Sequence, residues 1–527
     1  MSRGPGNICF AQLFSRGLRI HSLEPATLAP ACLVNVPAEE WGRAAQLAAD
    51  AGLRFVSLWA DQSGDGFFVH AALEDRGDYV VLRAGIPVAQ ARLATFAAQF
   101  AGANRLERHA HDLLGIEFNG HPDARRWTRH QAWATHHFPL REDFPVAGIN
   151  VKRSPADVDY PFEEIRGSGV YEIPVGPVHA GIIEPGHFRF KAVGEEVLRL
   201  EARLGYVHKG IEKIAVERNA LSLARLAARV SGDSTVAHTW AACQAMERAS
   251  GVEPPFRAHV LRAIMAERER IANHLGDLGA ICNDVSFAFA HMQCARLRES
   301  WQRRSAQLFG HRFMMDVITP GGVSRDLDSN AINILQADHK ALRQATITLF
   351  DIIDDHPSLE DRLAGTGRLS EADARALGCT GYVGKASGQP FDVRCDTPYA
   401  PYDRFGLTVS SLTDGDVAAR VQVRMDEITT SLDVMDRMFR DMPGGEIAID
   451  YATPPDGAQG LGIIDGWRGE IVTFVRFGKD GNVQRFFPRD PSWFTWPALE
   501  RLIHGNIVPD FPVCNKSVNG SYSGPDL

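Results

Sequence analysis

The apolar pattern of the first 145 residues is that of short strands with one helix. Residues 55–59, 67–73 and 79–84 are compact apolar runs rich in Val, Phe, Tyr and Leu, which favours strands. The sequence Ser-Gly-Asp-Gly at 63–66 predicts a tight turn between the first two runs. The Ala-rich stretch 88–100 predicts a helix. We therefore expect a small α+β domain over 1–146, followed by a polar linker over 147–168.

The second part of the chain has mainly helical periodicity. A long helical region is predicted from about 199 to 310, with a helix near 256–283 and another at 417–440. The first of these two helices has an apolar stripe at spacings of three, four and seven, formed by Val260, Ile264, Ile271, Leu275, Leu278 and Cys282. Residues 470–477 and 483–487 flank a Gly-containing turn and predict a β-hairpin. The predicted fold class is thus α+β, with a mostly helical second domain over 169–527 that carries peripheral hairpins.

Composition narrows the class of protein. The 527 residues include 45% hydrophobic and 23% charged residues, which is typical of a globular chain, and the net charge of -9 argues against nucleic-acid binding. No uncharged apolar run reaches the roughly 18 residues of a spanning helix, and residues 1–22 make a poor signal peptide. We expect a cytoplasmic location, which is compatible with docking on a membrane complex.

Known catalytic signatures and close cysteine pairs are missing from the sequence. There is no phosphate-binding loop, nucleophile elbow or zinc-protease motif, and Gly460-Leu461-Gly462 lacks the third glycine of a dinucleotide fingerprint. The eight cysteines include no C-x-x-C pair, so isolated thiols in a reducing compartment are expected.

The segment from Ser231 to His238 has the spacing of a metal motif without its sulfur ligands. With Cys at Ser231 and Ser234 it would read C-x-x-C-x-x-x-H. A soft transition metal requires thiolates, and a serine hydroxyl is a hard, weak ligand. What this scaffold does without a metal is the central question about the chain.

Longer motifs carry a resemblance over nearly the whole chain. Residues 104–108, 111–116, 120–123 and 139–145 resemble the smaller peripheral-arm subunit of respiratory complex I. Its larger, quinone-site subunit is resembled by residues 176–179, 205–213, 257–258, 267, 270–275, 320–323, 386–388 and 392–394. Fusion of the two in one chain, together with the ending at 509–517, resembles the large subunit of membrane-bound, complex I-related hydrogenases of the formate hydrogenlyase type.

This resemblance implies a function in electron transfer within an assembly. Electrons would pass from NADH or another donor, through an iron–sulfur cluster in a partner small subunit, toward a quinone-type acceptor. Proton-pumping or antiporter-like membrane subunits would be further partners, and the chain would lie peripherally on the cytoplasmic side of the membrane. The alternative is a redox-silent structural subunit that couples a soluble partner to proton-conducting subunits.

Departures from the family pattern decide which chemistry is expected. Ser231, Ser234, Ser521 and Gly524 stand where the hydrogenases have their four metal-binding cysteines, so a nickel–iron centre is not expected. Gly232 stands near the place of the quinone-binding tyrosine of complex I, and His187 does not match the second histidine of its quinone loop.

What the resemblance still implies is a polar cavity and a partner interface. The cavity would be formed by His179, Glu212, Ser231, Asp233, Ser234, His238 and Ser521. Glu212 would either shuttle protons with a raised pKa or pair with Lys213 or a nearby arginine. His238 would either relay a proton or be a satisfied interior histidine, and Ser231 and Ser234 would preserve the start of a helix. The interface to the iron–sulfur subunit would contain Arg257, Arg270 and His274, unless these form a solvated helix face.

Overall fold

The computed structural model describes residues 7–130, 133–150, 160–179 and 183–527. Its strands, numbered in chain order, are β1 (Ser22–Leu28), β2 (Ala31–Asn35), β3 (Arg54–Ser63), β4 (Gly66–Asp75), β5 (Asp78–Pro87), β6 (Arg92–Ala94), β7 (Glu117–Asn119), β8 (Val170–Val175), β9 (His187–Val193), β10 (Glu196–Arg203), β11 (Ile318–Thr319), β12 (Gly322–Val323), β13 (Gln459–Gly466), β14 (Gly469–Phe477) and β15 (Val483–Arg489). Its helices are α1 (Asn7–Ser15), α2 (Trp41–Asp50), α3 (Ala103–Leu114), α4 (Ile211–Ile214), α5 (Ala220–Ala227), α6 (Thr235–Ser250), α7 (Phe256–Asp284), α8 (Ala288–Phe309), α9 (Ser329–Asp354), α10 (Pro357–Leu363), α11 (Glu371–Leu377), α12 (Gly381–Ala386), α13 (Val393–Asp396), α14 (Val417–Arg440), α15 (Ser492–Leu502), α16 (Phe511–Val518) and α17 (Ser523–Asp526). The fold is α+β, as the sequence predicts.

The first part of the chain is built on a five-stranded sheet. Its strand order is β1-β2-β5-β4-β3, with β2 and β5 parallel and the other neighbours antiparallel. The three apolar runs predicted as strands lie in β3, β4 and β5, and the predicted turn joins the first two. The division between domains at 147–168 stays a prediction, because residues 151–159 lie outside the described residues.

Two helix predictions are wrong for local reasons. The stretch 88–100 contains the strand β6, which pairs with β7, and turns around Thr95 and Phe96. The Glu107 carboxylate accepts hydrogen bonds from the Thr95 hydroxyl and the Phe96 amide, so these groups are satisfied without a helix. Residues 199–203 belong to β10, which pairs with β9, so the helical region begins only at α4.

The helical core is formed around α7 and α14. The predicted helix at 417–440 matches α14, and the predicted helix at 256–283 matches α7 to within one residue. The apolar stripe of α7 is buried, but so are polar residues on its other faces, including Arg262 and Arg268. This helix is therefore enclosed by the fold on nearly all sides and does not have a solvated polar face.

The last sheet, β13-β14-β15, lies inside the molecule and connects its two parts. A Cβ atom on Gly460 or Gly462 would come within 1.9 Å of a backbone carbonyl oxygen of α6, so these glycines permit close packing of β13 on the helix. On the other side, Arg54 of β3 forms a bidentate ion pair with Glu470 of β14 at 2.8 and 3.0 Å. The hairpin predicted as peripheral is thus the central bridge of the fold. Within the described residues, no helix combines the length and apolar character needed to cross a membrane.

Candidate ligand cavity

A polar cavity of about 320 Å³ lies where four segments meet. They are the connection between β8 and β9, the turn before α6, the turn between β13 and β14, and the segment from the end of α16 to the start of α17. The cavity is lined by residues that include Ser231, Asp233, Arg468, Lys516, Ser521 and Tyr522. Three of the predicted cavity residues, Ser231, Asp233 and Ser521, are therefore brought together by the fold.

The two serines form a direct hydrogen-bonded pair. Ser231 Oγ lies 2.9 Å from Ser521 Oγ and donates to Asp233 Oδ1 at 2.8 Å. Since Ser231 has only one hydroxyl proton, Ser521 must donate to Ser231, while it accepts from the Gly524 amide at 2.9 Å. The serines thus hold the C-terminal turn against the turn before α6.

An ion pair closes one wall of the cavity. Arg468 donates from both terminal nitrogens to the two carboxylate oxygens of Asp233, each at 2.7 Å. Burial opposes ionisation of Asp233, but the guanidinium outweighs this effect and holds the pKa of the carboxyl below its usual value. The Arg468 Nε also donates to the Asn519 carbonyl, and the guanidinium lies over the Trp467 ring at 4.0 Å. The cation is therefore fixed in place by three contacts.

Ser231 and Ser234 do not cap the helix that follows them, contrary to prediction. Neither side chain makes a capping hydrogen bond, and the Ser234 hydroxyl accepts from Arg468 at 3.2 Å instead. The first amides of α6 donate to the Glu269 carboxylate, from Val236 at 2.7 Å and from Ala237 at 3.2 Å. Burial raises the pKa of Glu269 to about 8 even with these two hydrogen bonds. A side chain of α7 therefore satisfies the helix start.

His238 lies behind the cavity in a buried pair with Asp490. Its Nε2 is 2.8 Å from Asp490 Oδ2, and both side chains are inaccessible to solvent. His238 does not line the cavity. His238 is thus an interior histidine, but only its Nε2 is satisfied, since the buried Nδ1 has no hydrogen-bond partner among the described residues. A proton relay through His238 stays a prediction.

The donor set at this place does not suit a nickel–iron centre. The oxygen atoms of Ser231, Ser234 and Ser521 are hard ligands engaged in hydrogen bonds within the protein. A Cβ atom on Gly524 would lie 2.6 Å from the carboxyl carbon of Asp490, so a cysteine there requires Asp490 to move. Among the described residues, no group of three or more His, Cys, Asp and Glu side chains is arranged to hold a metal ion.

Glu212 lies in a structural ion pair and does not have the raised pKa of the proton-shuttle alternative. It is 2.6 Å from Arg485 of β15 and 2.6 Å from His109 of α3. Burial raises the pKa of a carboxyl, but the Arg485 guanidinium and His109 outweigh it and lower the pKa of Glu212 to about 2. The alternative, pairing with a nearby arginine, is the one found. Glu212 does not line the cavity.

His179 also lies apart from the cavity. Its Nε2 is 2.7 Å from the Gly186 carbonyl oxygen, and its ring contacts Phe188. The residues that follow it, 180–182, lie outside the described residues. His179 itself therefore does not line the cavity, although the connection between β8 and β9 does, through Ile183 and Glu184.

The predicted partner interface is wrong for two of its three residues. Arg270 and His274 are 1% and 0% exposed, so no partner protein can reach them. They belong to a buried ionic network in which His274 Nε2 lies 2.7 Å from Glu427 and Arg270 bonds to Glu267 and Glu427. Arg257 is half-buried and is held by Asp326 and the Pro443 carbonyl oxygen.

Sequence reasoning missed Arg468, Glu269 and Tyr522. Arg468 lies 235 positions after its partner Asp233, and no local spacing indicates such a pair. The only local signal is that Arg468 follows Trp467 just before the predicted strand 470–477. A larger cleft of about 720 Å³ between α3, β10 and α15 contains none of the predicted site residues.

Comparison with known proteins shows which family the chain belongs to. Family models match for the respiratory-chain NADH dehydrogenase 30 Kd subunit over residues 34–150, the nickel-dependent hydrogenase over 209–276, and the respiratory-chain NADH dehydrogenase 49 Kd subunit over 284–456. Formate hydrogenlyase subunit 5 of Escherichia coli is 32% identical over 80% of this chain and 74% of its own length. The C/D subunit of the NADH-quinone oxidoreductase of Bacteroides fragilis is 30% identical over 80% of this chain and 82% of its own length.

The chain belongs to the family that unites the 30 Kd and 49 Kd subunits of complex I with the large subunits of membrane-bound hydrogenases. It is a fused member of this family and a subunit of a membrane-associated oxidoreductase complex. A solved structure of the membrane-bound sulfane sulfur reductase, an archaeal respiratory membrane complex, contains a chain with the same fold. It has a TM-score of 0.64 and 24% identity, and it covers 68% of this chain and 99% of that one.

Proposed function

We propose that this subunit passes electrons to a quinone-type acceptor bound in the serine-lined cavity, without a nickel–iron centre of its own. The observation that carries the proposal is the cavity of about 320 Å³ with a fixed Asp233–Arg468 pair in its wall. Ligand sites usually measure roughly 300–1,000 Å³, so the cavity suits a ligand of headgroup size. By resemblance, Ser231 and Ser521 stand at two of the metal-binding cysteine positions of the family's hydrogenases, so the acceptor would occupy the space of the metal.

The polar residues of the cavity supply what such an acceptor needs. Reduction of a quinone to a quinol takes two electrons and two protons, and negative charge develops on the carbonyl oxygens. Arg468 and Lys516 line the same space and would stabilise that charge, because fixed cations in a partly enclosed site act strongly. The electrons would come from NADH or another donor through an iron–sulfur cluster of a partner small subunit.

The assembly itself follows the family. The partners would be an iron–sulfur small subunit and proton-pumping or antiporter-like membrane subunits, with this chain peripheral on the cytoplasmic side. The alternative is a redox-silent subunit that couples a soluble partner to the membrane subunits. The two differ in whether removal of the cavity's charges affects turnover.

The test uses the intact complex purified with its partners. Donor-driven reduction of a short-chain quinone is measured for the wild type, for Asp233→Asn and for the control Asp316→Asn. Asp316 also pairs with an arginine, Arg229, but on the surface and away from the cavity. We expect Asp233→Asn to lower kcat/KM at least tenfold in an assembled complex and Asp316→Asn to leave it unchanged. No electron transfer with any donor in the wild type would contradict the proposal and favour the redox-silent alternative.

A further inference from the structure

The strongest unused feature of the cavity is Tyr522, which lies between Ser521 and Ser523 in the turn after α16. Its ring packs against Trp496, with the ring centroids 4.6 Å apart. On its other side lies Gly186, where a Cβ atom would come within 2.5 Å of the Tyr522 Cε1 atom. Gly186 does not have a positive φ, so the close approach of the tyrosine is the physical reason for a glycine here. The ring is thus held in one position.

The hydroxyl of this tyrosine has no acceptor for its proton. The side chain is 7% exposed, and among the described residues the hydroxyl makes no hydrogen bond of ordinary length; the Asn515 side chain interacts with it more weakly as a donor, which lowers its pKa and leaves the O–H donor unused. A buried unpaired hydroxyl costs about 1–3 kcal/mol, so such groups are rare and need a reason. By contrast, the buried hydroxyl of Tyr382 donates to the Val518 carbonyl oxygen at 2.7 Å. Tyr522 is therefore the phenol that keeps an unused donor beside the cavity.

The protonation state of the Tyr522 hydroxyl determines which ligand atoms it can bind. Burial raises the pKa of Tyr522 to about 12, and the neighbouring Asn515 offsets only part of that rise. The phenol thus keeps its proton at neutral pH and acts as a hydrogen-bond donor. A matching ligand must present an acceptor atom, such as a carbonyl oxygen, toward the C-terminal turn.

We propose that the Tyr522 hydroxyl donates a hydrogen bond to a carbonyl oxygen of the acceptor in this cavity, and that Gly186 exists to admit its ring. This inference rests on the proposed function and adds to it a residue for recognition of the acceptor. Tyr522 would thus provide, from the C-terminal turn, a phenol that is absent at Gly232. The Asp233–Arg468 pair and Tyr522 would then contact the acceptor from different segments of the cavity wall.

Two variants and one control test the assignment in the intact complex. Tyr522→Phe removes only the hydroxyl, and Gly186→Ala displaces the ring. The control, Tyr451→Phe, removes a phenol that donates to the Met246 carbonyl oxygen outside the cavity. We expect both test variants to raise the KM for a short-chain quinone about three- to tenfold, the effect of one lost hydrogen bond, and the control to leave it unchanged.

The thermal stability of Tyr522→Phe distinguishes a role of the hydroxyl in binding the acceptor from a role in packing. Removal of an unpaired buried hydroxyl should not lower the thermal midpoint of Tyr522→Phe, whereas loss of a structural hydrogen bond would. An unchanged KM in Tyr522→Phe, with an active wild type, would overturn this inference and leave the proposed function standing. An inactive wild type would instead contradict the proposed function.

Discussion

Replacement of Glu212 by Gln should destabilise the protein without acting on the cavity. Glu212 is fully enclosed between Arg485 and His109, and folding lowers its pKa from 4.5 to about 2. Because one pKa unit corresponds to about 1.4 kcal/mol, the ionised carboxylate contributes about 3 kcal/mol to the free energy of unfolding at neutral pH. This agrees with the roughly 3–5 kcal/mol typical of breaking one partner out of a buried ion pair.

The pH dependence of this loss has a defined sign. A carboxyl with a lowered pKa in the folded state contributes its full stability above its unfolded pKa of about 4.5. The contribution is lost as the pH falls toward 2, where the folded carboxyl also becomes protonated. The difference in stability between wild type and Glu212→Gln should therefore be constant at pH 6–8 and shrink below about pH 4.5.

The assay is urea denaturation followed by tryptophan fluorescence, together with donor-driven turnover of the assembled complex. The control is Glu164→Gln, an exposed carboxylate paired with Arg166, for which we expect a change below about 0.5 kcal/mol. Unchanged unfolding with lost turnover in Glu212→Gln would refute the reasoning. That result would return Glu212 to the role of a proton shuttle.

Five further variants test the structure of the site. Gly524→Ala should lower the free energy of unfolding by about 1–3 kcal/mol, because its Cβ would crowd Asp490. For the same reason, a variant with Cys at positions 231, 234, 521 and 524 should hold less than stoichiometric nickel, as measured by metal analysis. Full nickel loading would contradict the argument from crowding. Arg468→Gln leaves Asp233 unpaired, and we expect a loss of about 1–3 kcal/mol in the same assay, less than for an enclosed pair since the Asp233 side chain is 36% exposed. Glu269→Ala should cost about 1–2 kcal/mol through the lost cap of α6. Because burial raises the pKa of Glu269 to about 8, its stabilising contribution is greatest below about pH 4.5 and declines as the pH rises toward 8, and Glu269→Gln should remove this dependence.

The amino-acid sequence by itself determined the parts of this protein that depend on local pattern. Short apolar runs and turn residues predicted β3, β4, β5 and the hairpin of β14 and β15, and the 3.6-residue period predicted α7 and α14. The absence of thiols at Ser231, Ser234 and Ser521 is a matter of residue identity, which needs no coordinates. Long motifs in the family's order also sufficed to predict a fused protein of the complex I type, which the comparisons confirm.

Only the tertiary structure decided which polar groups meet. Periodicity shows which face of α7 is apolar, but it contains no information that Arg270 and His274 are enclosed by α14 and β13. The low pKa of Glu212 depends on Arg485, which lies 273 positions later in the chain. The cavity is likewise assembled from segments far apart in the chain: Asp233 and Arg468 are 235 positions apart and Ser231 and Ser521 are 290 apart, so no local spacing predicts that Arg468 and Tyr522 line it. Electrostatic and packing energies depend on distance in space, and the fold alone determines those distances.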